Sequence, residues 1–400
     1  MRRFLSPLLL SLLLAAPTAG YGQGLDELST DELEARVSAL FERSCTTAGC
    51  HVGPTPQMGM DLTPERFFNA TVGQPSQERP DLLRVHPGKP DSSYVVMKLE
   101  GAEGIIGAQM PFTGDKLTDE EVATVRAWIR RLSPDDLSQR TDAPLEIYPF
   151  MGWKVVNLPT NRTVERGSLL FLIGHRFNPE VGDGYDAFFG LDGSSIIFLA
   201  LGYAFTDRLF LNLGRSNADD DVELSLRARF ARQEADGWPL SVGAQTSINW
   251  FSGEPPSGSR FRREALKLSS QLILTRALGP RAGVAVVPGV LFNPASAEED
   301  EGPLFTVGLG GRLNVHGTVA LVGEWVPIVG GYARTSTFGN DNRFDSWAGG
   351  IEIATPGHVF QIVLSNSVGL ATDQYLRGGD LDIREPDVRL GFNIFRVLPL

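Results

Sequence analysis

From Leu224 to Phe230, the apolar residues Leu224, Leu226, Ala228 and Phe230 alternate with Ser225, Arg227 and Arg229, and Glu223 stands ahead of them. The same two-residue period runs from Leu240 to Trp250 against Ser241, Gly243, Gln245, Ser247 and Asn249, and from Phe305 to Val315 against Thr306, Gly308, Gly310, Arg312 and Asn314. A period of two over so many residues is a strand with one dry and one wet face. Roughly twelve such segments follow residue 145, several parted by turn formers such as Asn217 to Asp221 and Gly253 to Ser259. Tilted strands of this length match the hydrocarbon thickness of a bilayer. Trp238, Trp250, Trp325 and Trp347 lie near strand ends, where an interfacial aromatic girdle needs them. The expectation for residues 146–400 is therefore an all-β antiparallel barrel of the outer-membrane type. The segment from Gly391 to Leu398 supplies a closing strand, although the final residue, Leu400, is not aromatic. A soluble β-domain, whose strands also alternate, is the competing reading.

The start of the chain agrees with export. Arg2 and Arg3 precede an apolar run from Leu8 to Ala16, and small residues follow around Ala19 to Gly22. A basic start, a short apolar core and a small-residue exit describe a signal peptide over residues 1–22. No later run reaches the ~18 apolar residues of a membrane-spanning helix. A net charge of −12 argues against nucleic acid as a partner.

Residues 24–134 have a different period. Ser29 and Glu32 form a capping-box pattern ahead of Leu33, Val37, Leu40 and Phe41. Thr63-Pro64 predicts a second helix start. Thr118 and Glu121 repeat the box ahead of Val122, Val125, Trp128 and Ile129, one apolar stripe on one face. This reads as a small all-α domain. The polar, aperiodic stretch after it, residues 135–145, reads as a linker.

Chemistry concentrates in Cys45-Thr-Thr-Ala-Gly-Cys50-His51. Two cysteines with a His directly after the second form the attachment pattern of a c-type haem, the His being an axial iron ligand. Four residues separate these cysteines where two are usual. A bulged loop, helped by Gly49, would still bridge two vinyl groups. A Cys45–Cys50 disulfide is the plain alternative in an oxidising compartment. Zinc fits less well, for want of a fourth ligand. The second axial ligand is expected to be Met110 in Gly107-Ala-Gln-Met-Pro111, 59 residues after His51 and just upstream of the last amphipathic helix. Met58 and Met60 lie close behind His51, Met97 reads as core, and His86 as a loop residue.

The stretch Cys45–Ser133 resembles the periplasmic cytochrome c-like domains of the planctomycete and myxobacterial type. The resemblance rests on Cys50-His51, Gly59-Met-Asp-Leu62, Val72-Gly-Gln-Pro-Ser76, Arg84-Val-His-Pro-Gly88, Ser92-Ser-Tyr94, Lys98-Leu99, Gln109-Met-Pro111 and the run from Leu117 to Ile129. It implies one covalent haem c on Cys45 and Cys50, with His51 and Met110 as axial ligands. From about Ile147 onward the chain resembles an uncharacterised barrel family, the domain of unknown function 5777. The matching pieces are Val156-Asn-Leu-Pro-Thr160, Gly174-His-Arg-Phe177, Phe189-Gly-Leu-Asp-Gly193, Gly357-His-Val-Phe-Gln361 and Gly391 to Arg396. That resemblance implies an outer-membrane β-structure and no known activity.

Together these features give the expectation of an electron carrier, not an enzyme, held at the periplasmic face of the outer membrane by its barrel. An even strand count would leave both barrel termini on that face. The other reading is a haemless structural or transport barrel whose periplasmic domain is closed by the disulfide. Residues 24–140 carry 12 basic and 19 acidic residues, so a redox partner protein with a basic docking surface is expected. There is no catalytic triad, phosphate loop or paired-carboxylate constellation. His175 and His358 read as interfacial or turn residues. The acidic clusters Asp219–Asp221 and Glu298–Glu301 read as solvated loops.

Overall fold

A computed structural model describes residues 24–47, 50–52, 56–136, 149–164, 166–234, 237–254, 259–279, 281–294, 302–316, 318–331, 344–355, 358–382, 384 and 387–398. The signal-peptide region, most of the expected linker, Gly49 and the cluster Glu298–Glu301 lie outside these residues.

The N-terminal part packs α1 (Thr30–Cys45), α2 (Phe67–Thr71), α3 (Tyr94–Glu100) and α4 (Asp119–Arg131). Both predicted capping boxes form. Ser29 Oγ accepts from the Glu32 amide while the Glu32 carboxylate accepts from the Ser29 amide, and Thr118 and Glu121 do the same. Each box satisfies two amides that a helix start leaves orphaned. The apolar stripes of α1 and α4 then meet. Leu33, Val37 and Phe41 bury against Val125, Trp128 and Ile129, with Phe67 edge-on to Phe41 at 5.9 Å and 5.7 Å from Trp128. The helix expected at Thr63 begins later, at Phe67. Asp61 accepts from both the amide and the hydroxyl of Thr63 and holds that stretch as a turn.

The rest is a closed antiparallel barrel of twelve strands. In chain order these are β1 (Leu169–Phe177), β2 (Ser195–Thr206), β3 (Leu209–Ser216), β4 (Asp221–Ala231), β5 (Ser241–Phe251), β6 (Leu266–Leu278), β7 (Ala282–Phe292), β8 (Leu304–His316), β9 (Val319–Val326), β11 (Ser346–Thr355), β12 (His358–Ser365) and β13 (Arg389–Leu398). A short β10 (Ile328–Gly331) only extends the β8 edge. Closure is made by β1 on β13, with Leu169 opposite Leu398, so residues 169 and 398 lie at one end of the barrel. We call this the terminal end, and the other the loop end.

The alternation is turned inside out. On β4, Glu223, Ser225, Arg227 and Arg229 are buried, whereas Leu224, Leu226 and Phe230 are exposed. Leu272, Leu309, Leu321, Ile351 and Ile362 are exposed in the same way on other strands. A soluble β-domain buries its apolar face, so this polarity selects the bilayer-facing barrel. Trp238 and Trp325 are exposed, and Trp250 stacks on Phe261 at 4.4 Å.

The lumen is occupied by the chain itself. Residues 149–164 enter from the terminal end, and residues 366–380, including α5 (Thr372–Leu376), fold in from the loop end; nearly all are buried. At the tip of the first insert, the Glu324 carboxylate accepts from the amides of Val156, Asn157 and Leu158, all at 2.9 Å. Arg227 donates to the carbonyls of Trp153 and Thr160, and Arg176 to Asn157 Oδ1. The second insert is tied by Lys267 to Asp373 at 3.3 Å and by Tyr375 to Gln271 at 3.0 Å. Arg312 pairs with Glu352 at 2.7 Å. Charges this deeply buried are tolerable only when paired and hydrogen-bonded. The sequence reading of Asp219–Asp221 as wholly solvated is corrected here: Asp221 is buried and accepts from Asn249 Nδ2 at 3.0 Å.

Candidate functional site

Cys45 closes α1, and the chain turns back on it at once. The His51 amide donates to the Cys45 carbonyl at 3.1 Å, and the Cys50 amide to the Thr47 carbonyl at 2.9 Å. His51 therefore stays beside the first cysteine. Two further bonds fix this loop: Gln57 N donates to Cys50 O at 2.7 Å and Leu62 N to His51 O at 2.8 Å.

Met110 comes from a loop 59 residues after His51. Its amide donates to the Lys98 carbonyl at 2.8 Å, and Gln109 Nε2 donates to the Leu99 carbonyl at 2.7 Å, so the loop before Pro111 is pinned to the end of α3. Cys45, Cys50, His51 and Met110 all line one crevice, whose empty space, counting the part open to solvent, is about 1060 Å³. Phe41, Leu62, Val95 and Leu99 make its apolar walls. Met58 and Met60 line it too, whereas Met97 and His86 are not among its lining residues. His86 Nδ1 instead faces the Pro87 carbonyl at 3.2 Å.

The electrostatics of the crevice are specific. His51 Nδ1 lies 3.2 Å from the Gln57 carbonyl. A carbonyl only accepts, so Nδ1 carries the proton and neutral imidazole keeps its lone pair on Nε2. Burial, followed by the Arg84 charge, brings the His51 pKa down to about 4, so the ring is neutral at pH 7. Burial pushes the Cys45 thiol up to about 12, and both cysteines are free thiols. Arg84 is buried and donates to the carbonyls of Gly59, Ala70 and Met58. Among the described residues no carboxylate pairs with it, and burial lowers its pKa to about 10. Across the crevice, Lys98 Nζ donates to Glu78 at 3.1 Å and to the Ile106 carbonyl at 2.7 Å, and Tyr94 donates to Glu78 at 2.8 Å.

These residues fit a c-type haem. Two thiols, a neutral imidazole and a thioether share an apolar crevice, and beside it stands a guanidinium that no carboxylate pairs with among the described residues. Arg84 and Gln57 were not expected as contributors. Arg84 lies within the stretch Arg84-Val-His-Pro-Gly88, but nothing in the sequence marks it as buried without a counter-charge. His175 and His358 lie elsewhere, on barrel strands. His175 stacks on Phe392 at 4.8 Å, and His358 accepts from Arg396 at 2.7 Å.

The barrel's inside-out polarity has a counterpart among known families. Residues 150–398 match the family described as "Membrane bound beta barrel domain (DUF5777)". The chain belongs to this family. Its DUF5777 barrel makes the protein exported and places it in the outer membrane. No curated protein matches the sequence. Among solved structures, this DUF5777 chain is similar to the COG4313 outer membrane channel of Pseudomonas putida F1, with 18% identity, 60% of this chain and 98% of that chain covered, and a TM-score of 0.36. It is also similar to the NanC porin, at 8% identity, 57% and 98% coverage and a TM-score of 0.35. Outer membrane phospholipase A of Escherichia coli follows at 12% identity, 66% and 96% coverage and a TM-score of 0.32.

Proposed function

We propose that this DUF5777 protein is an electron carrier whose N-terminal domain holds one covalent haem c and whose barrel anchors it in the outer membrane. The observation that carries the reading is convergence: Cys45, Cys50 and His51 from one short loop, and Met110 from 59 residues further along the chain, line one apolar crevice. A haem bound there supplies one-electron exchange at iron. Cys45 and Cys50 would hold it covalently through their sulfurs. His51 offers Nε2, because the Gln57 carbonyl fixes the proton on Nδ1. Met110 offers a thioether, which raises the potential above that of two nitrogen ligands. Phe41, Leu62 and Leu99 would exclude water, and Arg84 would balance an acidic substituent. The acidic balance of residues 24–140 favours a redox partner with a basic face.

A second reading is the haemless structural or transport barrel with a Cys45–Cys50 disulfide. Family membership speaks for the barrel alone, and neighbours named as a channel and a porin stand nearer to this reading. Against transport, though not against a structural role, stands the lumen occupied by residues 149–164 and 366–380.

The test is to export the full chain in a host that matures c-type haem, run it on a denaturing gel and stain for covalent haem. The electron carrier stains, Cys45→Ala and Cys50→Ala weaken or abolish the stain, and Met110→Ala changes the reduced spectrum. An unstained protein whose cysteines resist alkylation until reduced is the haemless barrel.

A further inference from the structure

We propose that the barrel supplies one wall of the haem crevice, so that the occupant is gripped between the two halves of the chain. This rests on the haem reading for the identity of the occupant. Thr318, in the turn between β8 and β9, and Ala354 and Thr355, at the end of β11, line the same crevice as Cys50, His51 and Met110. These rim residues are tied together, since the Ala354 amide donates to the Thr318 carbonyl at 3.0 Å. They belong to the terminal end of the barrel, the end at which residues 149–164 enter.

Met58 joins the two halves. It lines the crevice, and its side chain packs against the apolar cluster of the barrel that contains Trp153, Ala354 and Val359. Its backbone takes a positive φ of 55°, which is costly for a residue with a side chain and persists only where surrounding contacts hold it. Arg84 donates to the Met58 carbonyl, and the neighbouring Gln57 carbonyl is the one that fixes the His51 proton. The loop that orients the axial histidine is therefore the loop that rests on the barrel. A charge placed on the rim acts on the crevice through apolar protein, where it is poorly screened.

The experiment measures the haem midpoint potential of the full exported chain carrying Thr355→Glu. Thr355→Gln controls for size. Arg208→Glu, in the turn between β2 and β3 and outside the crevice lining, controls for charge at the same barrel end. Heat-modifiable gel mobility reports barrel folding for each variant. The wall predicts a lower potential for Thr355→Glu than for Thr355→Gln, because a nearby carboxylate favours the oxidised, more positive iron, and little change for Arg208→Glu. Thr355→Trp should also reduce the fraction of chain that stains for haem. Equal potentials for Thr355→Glu and Thr355→Gln in folded, haem-stained protein overturn the wall and leave the haem reading intact. An unstained unsubstituted chain overturns both.

Discussion

Removing the Glu324 carboxylate should release the insert that fills the lumen. Its two oxygens accept three successive backbone amides, from Val156, Asn157 and Leu158, each at 2.9 Å, in a buried setting. A hydrogen bond to a charged acceptor contributes ~1.5–3 kcal/mol net. A polar lumen lets water replace part of the set in Glu324→Ala, so we take about 3 kcal/mol for the loss, the upper value of one such bond. That raises the population of the withdrawn insert roughly a hundredfold. Glu324→Gln keeps one acceptor oxygen and should fall between the two. The assay is amide hydrogen exchange at residues 156–158 in detergent-folded protein, paired with single-channel recording in planar bilayers. The unsubstituted barrel should protect these amides and conduct rarely, and Glu324→Ala should exchange faster and open more often. Unchanged protection at these three amides in a barrel that still shows heat-modifiable mobility would refute the reasoning.

Three further outcomes can be checked. Trp128→Ala empties the centre of the α1–α4 core and should cost the N-terminal domain about 3–5 kcal/mol, read as a lower denaturant midpoint by circular dichroism of the helices. Glu121 has its carboxyl held below the usual range by Arg43 and by the Thr118 amide, so it contributes stability above the ordinary carboxylate pKa and loses it as pH falls through the lower folded value; Glu121→Gln should remove that part of the acid sensitivity of domain unfolding and cost ~0.5–1 kcal/mol at pH 7, the pair being largely exposed. Arg84→Gln takes a buried positive charge from beside His51 and should lower the haem potential, measured by redox titration of the stained protein.

The barrel was legible because each strand writes its two faces in alternate letters: Leu224, Leu226 and Phe230 outward, Glu223, Arg227 and Arg229 inward. The capping boxes at Ser29 and Thr118 were legible because both partners lie three residues apart. The inserts were not. Val156-Asn-Leu-Pro-Thr160 has no period, since its amides are satisfied by Glu324 from a strand more than 160 residues away. Thr372 and Asp373 likewise look like an ordinary polar turn until Glu223 and Lys267 are seen to hold them. At the candidate site, Cys45, Cys50, His51 and Met110 could be named from type and spacing. The placement of Gln57, Arg84 and Thr355 at the crevice comes from backbone carbonyls and from packing, which leave no mark in residue spacing.

Because residues 149–164 are threaded into the barrel ahead of β1, the N-terminal domain hangs from a fixed post. Between the last described residue of that domain, number 136, and the insert lie residues 137–148. Twelve residues span at most about 40 Å even when fully drawn out. A domain on so short a leash meets the rim at an effective concentration set by the leash and not by how much protein the cell makes. Contact with the rim is therefore unimolecular, and diluting the protein should leave it unchanged.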